Sequence, residues 1–70
     1  DFVEGLSPEL QNALATLSAG EREVLALRIV IELDGDQTAR VLGISPTAVS
    51  TRLSRALTKL EEKVRNDDLR

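Results

Sequence analysis

Gln37-Thr38-Ala39-Arg40-Val41-Leu42-Gly43-Ile44-Ser45-Pro46-Thr47-Ala48-Val49-Ser50-Thr51-Arg52-Leu53-Ser54-Arg55-Ala56 decides how this chain folds. Gly43 divides the stretch. Ahead of it, Ala39, Val41 and Leu42 give a short helix its packing side. Glycine enters the left-handed conformation at little cost, so Gly43 suits the place just past that helix. Beyond it, Ser45-Pro46 is a helix start, with serine as the cap and proline at the first helical position. Ile44 plugs the core, and with Val49 it forms a hydrophobic staple that sets the angle of the second helix. The pattern predicts a helix-turn-helix over about residues 34–65: a short helix from Gly35 to Leu42 and a longer one from Pro46 to about Arg65. Asp34 is expected to cap the shorter helix, with Gln37 at the capping-box position.

At 3.6 residues per turn, the longer helix sorts into two faces. Val49, Leu53, Ala56, Leu57, Leu60 and Val64 gather on the packed side. Thr47, Ala48, Thr51, Ser54, Arg55 and Thr58 gather on the other, with Ser50 and Arg52 on the flanks. Serine and threonine are mediocre helix formers, so this face gives up propensity where Glu, Lys or Ala would stabilise a merely solvated helix. Hydroxyls and guanidinium groups suit base edges and phosphates: Arg forks onto guanine O6 and N7, and Thr touches a thymine methyl. Small Thr47 and Ala48 allow close approach to a groove, and the helix start favours a phosphate through free amides and the dipole.

Two further helices precede these. Ser7-Pro8 repeats the cap-and-proline start, and Leu10, Ala13, Leu14 and Leu17 follow at helical spacing. Ser18-Ala19-Gly20-Glu21 is a capping-box pattern that opens a second helix running to about Leu33. Val24, Leu25, Leu27, Val30 and Ile31 give it an apolar face broader than one core contact needs, as expected either of a central helix or of one that docks a partner through part of that face. The tail over residues 66–70 is polar and expected to fray. The fold class expected is all-α: one small four-helix domain over residues 1–70, with a C-terminal helix-turn-helix, no strands and no wing. The chain does not begin with Met, which points to a piece of a longer protein.

Net charge is −3, yet the two halves differ. Residues 1–37 carry eight acidic side chains against Arg22 and Arg28, a balance of −6. Residues 38–70 carry Arg40, Arg52, Arg55, Lys59, Lys63, Arg65 and Arg70 against Glu61, Glu62, Asp67 and Asp68, a balance of +3. The basic half is the helix-turn-helix half, which a nucleic-acid partner would explain; the plain alternative is a solvated helix with ion pairs four residues apart. An acidic first half repels DNA and suits a basic protein partner. The chain has no Cys, His, Trp, Tyr or Met and a single aromatic, Phe2. That leaves no zinc or thiolate site, no disulfide and no nucleophile–base pair, so neither an enzyme nor a cofactor or small-molecule site is expected. No apolar run approaches the ~20 residues of a membrane span.

Three segments together resemble a known family. Glu21-Arg22-Glu23-Val24-Leu25-Ala26-Leu27-Arg28, Gln37-Thr38-Ala39-Arg40-Val41-Leu42-Gly43-Ile44-Ser45 and Val49-Ser50-Thr51-Arg52-Leu53-Ser54-Arg55-Ala56 resemble the C-terminal region four of bacterial sigma factors of the extracytoplasmic-function type. The resemblance covers roughly residues 14–64. It implies a cytoplasmic bacterial protein whose domain reads the −35 promoter element in the major groove. It also implies docking on the β flap of core RNA polymerase and, often, capture by an anti-sigma factor. By motif position, Ser50, Thr51, Ser54 and Arg55 look like base-reading residues. Arg52 looks like a backbone-contacting or helix-anchoring arginine, and Thr47 and Ala48 like close-approach positions.

The chain departs from the family in three places. Ser50 stands where Lys or Arg is frequent, Ile29 where an aromatic commonly follows the Leu-Arg pair, and Glu32-Leu33-Asp34 in place of a Gly-Leu-Ser lead-in. With Ser50 in place of a cation, weak DNA binding is expected unless polymerase holds the domain in place. Promoter opening needs several aromatics to hold unpaired bases, and this piece has Phe2 alone. Two other roles stay open on the residues alone: a domain working mainly through protein contacts, and a response-regulator-type effector that dimerises on paired half-sites.

Overall fold

The structure is a computed structural model that describes residue 5 and residues 7–68, without the side chains of 67 and 68. Phe2 therefore lies outside the described residues. Four α-helices follow one another: α1 (Pro8–Ala15), α2 (Ala19–Leu25), α3 (Gly35–Leu42) and α4 (Pro46–Asp68), with a π-helical segment (Ala26–Val30) continuing α2. No strand occurs among the described residues.

Each helix starts where a side chain can take up an orphan amide. Ser7 Oγ accepts from Leu10 N at 3.2 Å. Ser18 and Glu21 form a full capping box: Glu21 N donates to Ser18 Oγ at 3.2 Å, and Ser18 N donates to Glu21 Oε1 at 2.9 Å. Asp34 and Gln37 form another, at 2.8 and 3.0 Å. Ser45 Oγ accepts from Ala48 N at 3.0 Å. These exchanges satisfy amides that have no intrahelical partner. Gly43 is left-handed (φ 67°, ψ 34°). Ile44 N then donates to Ala39 O at 3.1 Å, which stops α3 in the Schellman manner.

Among the described residues two small apolar clusters make the core, and α4 supplies both. Leu14, Leu17 and Ala56 form one, with Leu25 and Leu60 against it. Val24, Ala39 and Val49 form the other, with Leu42, Ile44 and Leu53 against it. The Ile44–Val49 staple thus belongs to the cluster that holds the helix-turn-helix. α4 is the spine on which α1, α2 and α3 rest, and its 23 residues dominate the 40 Å long axis.

The structure corrects four points of the sequence reading. Val41 is 63% exposed and packs nothing, and Thr38, fully buried, takes its place on the inner side of α3. Apolarity singled out Val41, whereas positions 38, 39 and 42 share one helical side. Leu57 and Val64 stand 47% and 51% exposed beside the packed face of α4, not within it. The second helix stops at Val30 rather than near Leu33, by way of the π turn. α4 runs three residues past Arg65, so residues 66–68 of the tail are helical, and residues 69–70 lie outside the described residues.

Candidate nucleic-acid interface

Thr47, Ser50, Thr51, Ser54, Arg55 and Thr58 are all exposed on α4, three or four residues apart along one side. Ala48 is half-buried at the edge of the first turn. Opposite them, Val49 and Ala56 are buried, and this seats the helix and turns the hydroxyl-bearing side outward. Arg52 is placed apart from this group. It is half-buried on a flank of α4, with its guanidinium against Gly20 in the first turn of α2. Arg40, in the last turn of α3, adds another exposed guanidinium to the helix-turn-helix.

An ion pair ties α2 to the flank of α4 that carries Arg52. Lys59 Nζ lies 2.7 Å from Glu21 Oε1, whose side chain is only 8% exposed. The Lys59 hydrogen bond, then the Ser18 amide, hold the Glu21 carboxyl below the usual carboxylate range, against an opposing effect of burial. The Glu21 carboxylate therefore does double duty: it completes the α2 cap and ties α2 to α4. The sequence reading found the cap but not the tie. A capping box is chemistry between neighbours, whereas Lys59 is 38 residues away and nothing local announces it.

A second feature lies between α1, the α2–π segment and α4. Leu10, Leu14, Leu25, Ile29, Val30, Leu57 and Leu60 line an open apolar groove of about 550 Å³, with Arg22 and Glu23 at its edge. Ile29 and Val30 are each 55% exposed. The broad apolar face read from the sequence is thus divided. Val24 goes to the core, Ile29 and Val30 line the groove, and Ile31 stands 60% exposed beyond them.

Among the described residues, no group of His, Cys, Asp or Glu is spaced to hold a metal ion. None of the helices is long and apolar enough to cross a membrane.

A capped short helix, a left-handed glycine turn and a long helix seated by an apolar staple make this a helix-turn-helix domain. Comparison with known proteins narrows the class. The family described as "Sigma-70, region 4" matches residues 3–60, and the chain belongs to that family. The chain is 43% identical over 47 residues to the ECF RNA polymerase sigma factor ShbA of Streptomyces griseus, which covers 67% of this chain and 25% of that protein. It is 35% identical over 60 residues to an RNA polymerase sigma-E factor of Streptomyces antibioticus, covering 86% of this chain and 33% of that protein. It is 34% identical over 55 residues to the ECF RNA polymerase sigma factor SigD of Mycobacterium tuberculosis, covering 79% and 26%. The chain thus spans between a quarter and a third of the length of these curated relatives. No solved structure matches it significantly.

Proposed function

We propose that this domain reads the −35 element of bacterial promoters from the major groove, as part of an extracytoplasmic-function sigma factor. Thr47, Ala48, Ser50, Thr51, Ser54 and Arg55 are the side chains offered to DNA. The observation that carries this is the outer side of α4: five exposed hydroxyls and Arg55 on a helix whose opposite side is sunk in the core. Arg55 carries a guanidinium among these hydroxyls that can fork onto a guanine, and the hydroxyls supply shorter contacts.

A second role has its own observation. The apolar groove between α1, the π segment and α4 supports docking of an apolar segment of RNA polymerase, the β flap, or of an anti-sigma factor that competes for it. The two roles use different surfaces and are compatible. Polymerase docking raises the local concentration of a weakly binding reader at the promoter.

The test is Arg55→Ala in the full-length protein with core polymerase, on DNA that the wild type selects from a random pool. The expected result is a loss of about 1–3 kcal/mol of specific binding, with relaxed preference at one base position. An equal loss on selected and random DNA would place Arg55 on phosphate and take base reading away from it.

A further inference from the structure

The first turn of α2 carries two cationic contacts from one flank of α4. A Cβ on Gly20 would lie 3.0 Å from Arg52 Nη1, 3.2 Å from Cζ and 3.5 Å from Nε. The guanidinium thus rests on the bare Cα of Gly20, and a side chain there would push this mobile end of Arg52 aside by a few tenths of an ångström or more. Gly20 lies within the first turn of α2, and no left-handed turn requires glycine there. Seven residues and two helical turns further along α4, Lys59 Nζ meets Glu21 Oε1 at 2.7 Å. Between them Ala56 is fully buried, in the cluster with Leu14 and Leu17 against which Leu25 of α2 packs.

We propose that Arg52 is a positioning residue: seated on Gly20, and acting with the Lys59–Glu21 pair, it fixes the lean of the recognition helix on α2 instead of contacting DNA. The proposal rests on the assignment of α4 as the DNA-reading helix. A rigid helix held at one point pivots about it, whereas one held at two points along a single flank does not. The second anchor is itself fixed, because Glu21 is locked into the α2 capping box. Arg52 also lies off the reading side. Ser50, Thr51, Ser54 and Arg55 are exposed, while Arg52 is half-buried in line with Ala56 and Lys59. A flat guanidinium suits a seat on backbone, and a lysine ammonium does not reproduce it.

Phosphate contacts and positioning contacts are separated by salt. A lost phosphate contact reduces the slope of log K against log salt by about 0.9, and a lost positioning contact leaves the slope unchanged. The experiment measures salt-dependent binding of the full-length protein with core polymerase to its selected promoter duplex and to random duplex. It compares wild type with Arg52→Ala, Arg52→Lys, Gly20→Leu and the Gly20→Leu/Arg52→Ala double variant. The expected result is a loss of about tenfold on the promoter duplex for all three single variants, equivalent to about 1.4 kcal/mol. The slope should stay unchanged, and the double variant should be no worse than either single one. Gly20→Leu adds no charge and puts a better helix former in the first turn, so its melting temperature should not fall.

Rescue by Arg52→Lys together with a slope reduced by about 0.9 in Arg52→Ala would overturn the proposal, because both are marks of a phosphate contact. Normal binding by Gly20→Leu would overturn it too. Absence of any promoter preference in the wild type would instead remove the underlying assignment of α4 as reader, a failure distinct from either.

Discussion

Glu32 is left-handed at φ 66°, the only non-glycine residue at positive φ among those described. It follows the π turn, and its conformation lets the chain reverse toward α3. Ile31 N reaches back to Ala26 O at 3.0 Å and Leu33 N to Leu27 O at 2.9 Å, a helix stop one residue wider than the usual Schellman closure. Arg28 Nη1 donates to Leu33 O at 2.6 Å and pins the turn. A left-handed L-residue costs roughly 1–2 kcal/mol, and glycine's larger freedom in the unfolded chain takes back part of that. Glu32→Gly should therefore stabilise the domain by about 0.5–1 kcal/mol, read as a melting temperature a few degrees higher. An unchanged or lower value would mean that Arg28 and the π turn already absorb the strain. Thr38 is the other residue held at a cost: fully buried, with Oγ1 unpartnered. An unsatisfied buried hydroxyl costs about 1–3 kcal/mol, and valine keeps the branched shape. Thr38→Val should raise the urea midpoint, worth about 1 kcal/mol, with an unchanged denaturant slope. Neither residue's burden was visible in the sequence. The departure at Glu32 was plain, but its φ comes from a π turn that only tertiary packing selects. Thr38 was passed over because a polar residue was not expected inside.

At the scale of elements, what the sequence disclosed was mostly local. The caps at Ser7, Ser18, Asp34 and Ser45, and the turn at Gly43, all formed as their residue types require, because each exchange closes within three to five residues. The outward side of α4 was legible for the same reason: helical spacing alone sorts Thr47, Thr51 and Ser54 from Val49 and Ala56. The groove was not legible as a shape. Leu57 and Val64 were read as core because their spacing fits the packed side, but Leu57 lines the groove that α1 and the π turn leave open, and Val64 is exposed further along α4. The groove and the α4 outer side should be separable by mutation. Ile29 is 55% exposed, so Ile29→Asp should leave folding nearly intact while placing a charge in an apolar trough. The expected outcome is a loss of about tenfold or more in affinity for core polymerase, the scale of losing one anchoring apolar contact. Domain binding to DNA in polymerase-free titrations should not change. A matching loss in both assays would mean that the groove variant acts through the fold and that the two surfaces are not independent.

At the scale of the molecule, the core among the described residues is two small clusters of leucine, valine and alanine joined by one helix, in a domain short enough to bury little apolar surface. Long-range polar ties therefore matter more than they would in a larger domain. The Glu21–Lys59 pair is such a tie, partly buried and joined to the α2 cap. Arg65–Glu61, a pair four residues apart on exposed α4, contributes little by comparison. The Glu21 pair gives stability a definite pH dependence. Its carboxyl is held below the ordinary value of 4.5, chiefly by the Lys59 hydrogen bond and then by the Ser18 amide. In the unfolded chain the group takes up its proton at higher pH than in the folded one, so acid favours unfolding. The contribution is fully present above about pH 4.5 and is lost as pH falls through the lower folded value. Glu21→Gln keeps a cap acceptor but removes the charge. Melting curves taken from neutral pH down to about pH 3 should therefore show the wild type above the variant at neutral pH, with the gap closing only below the ordinary carboxylate pKa. A gap that stays constant down to the acid end would assign the difference to cap geometry, and leave α4 tied to α2 by packing around Ala56 rather than by charge.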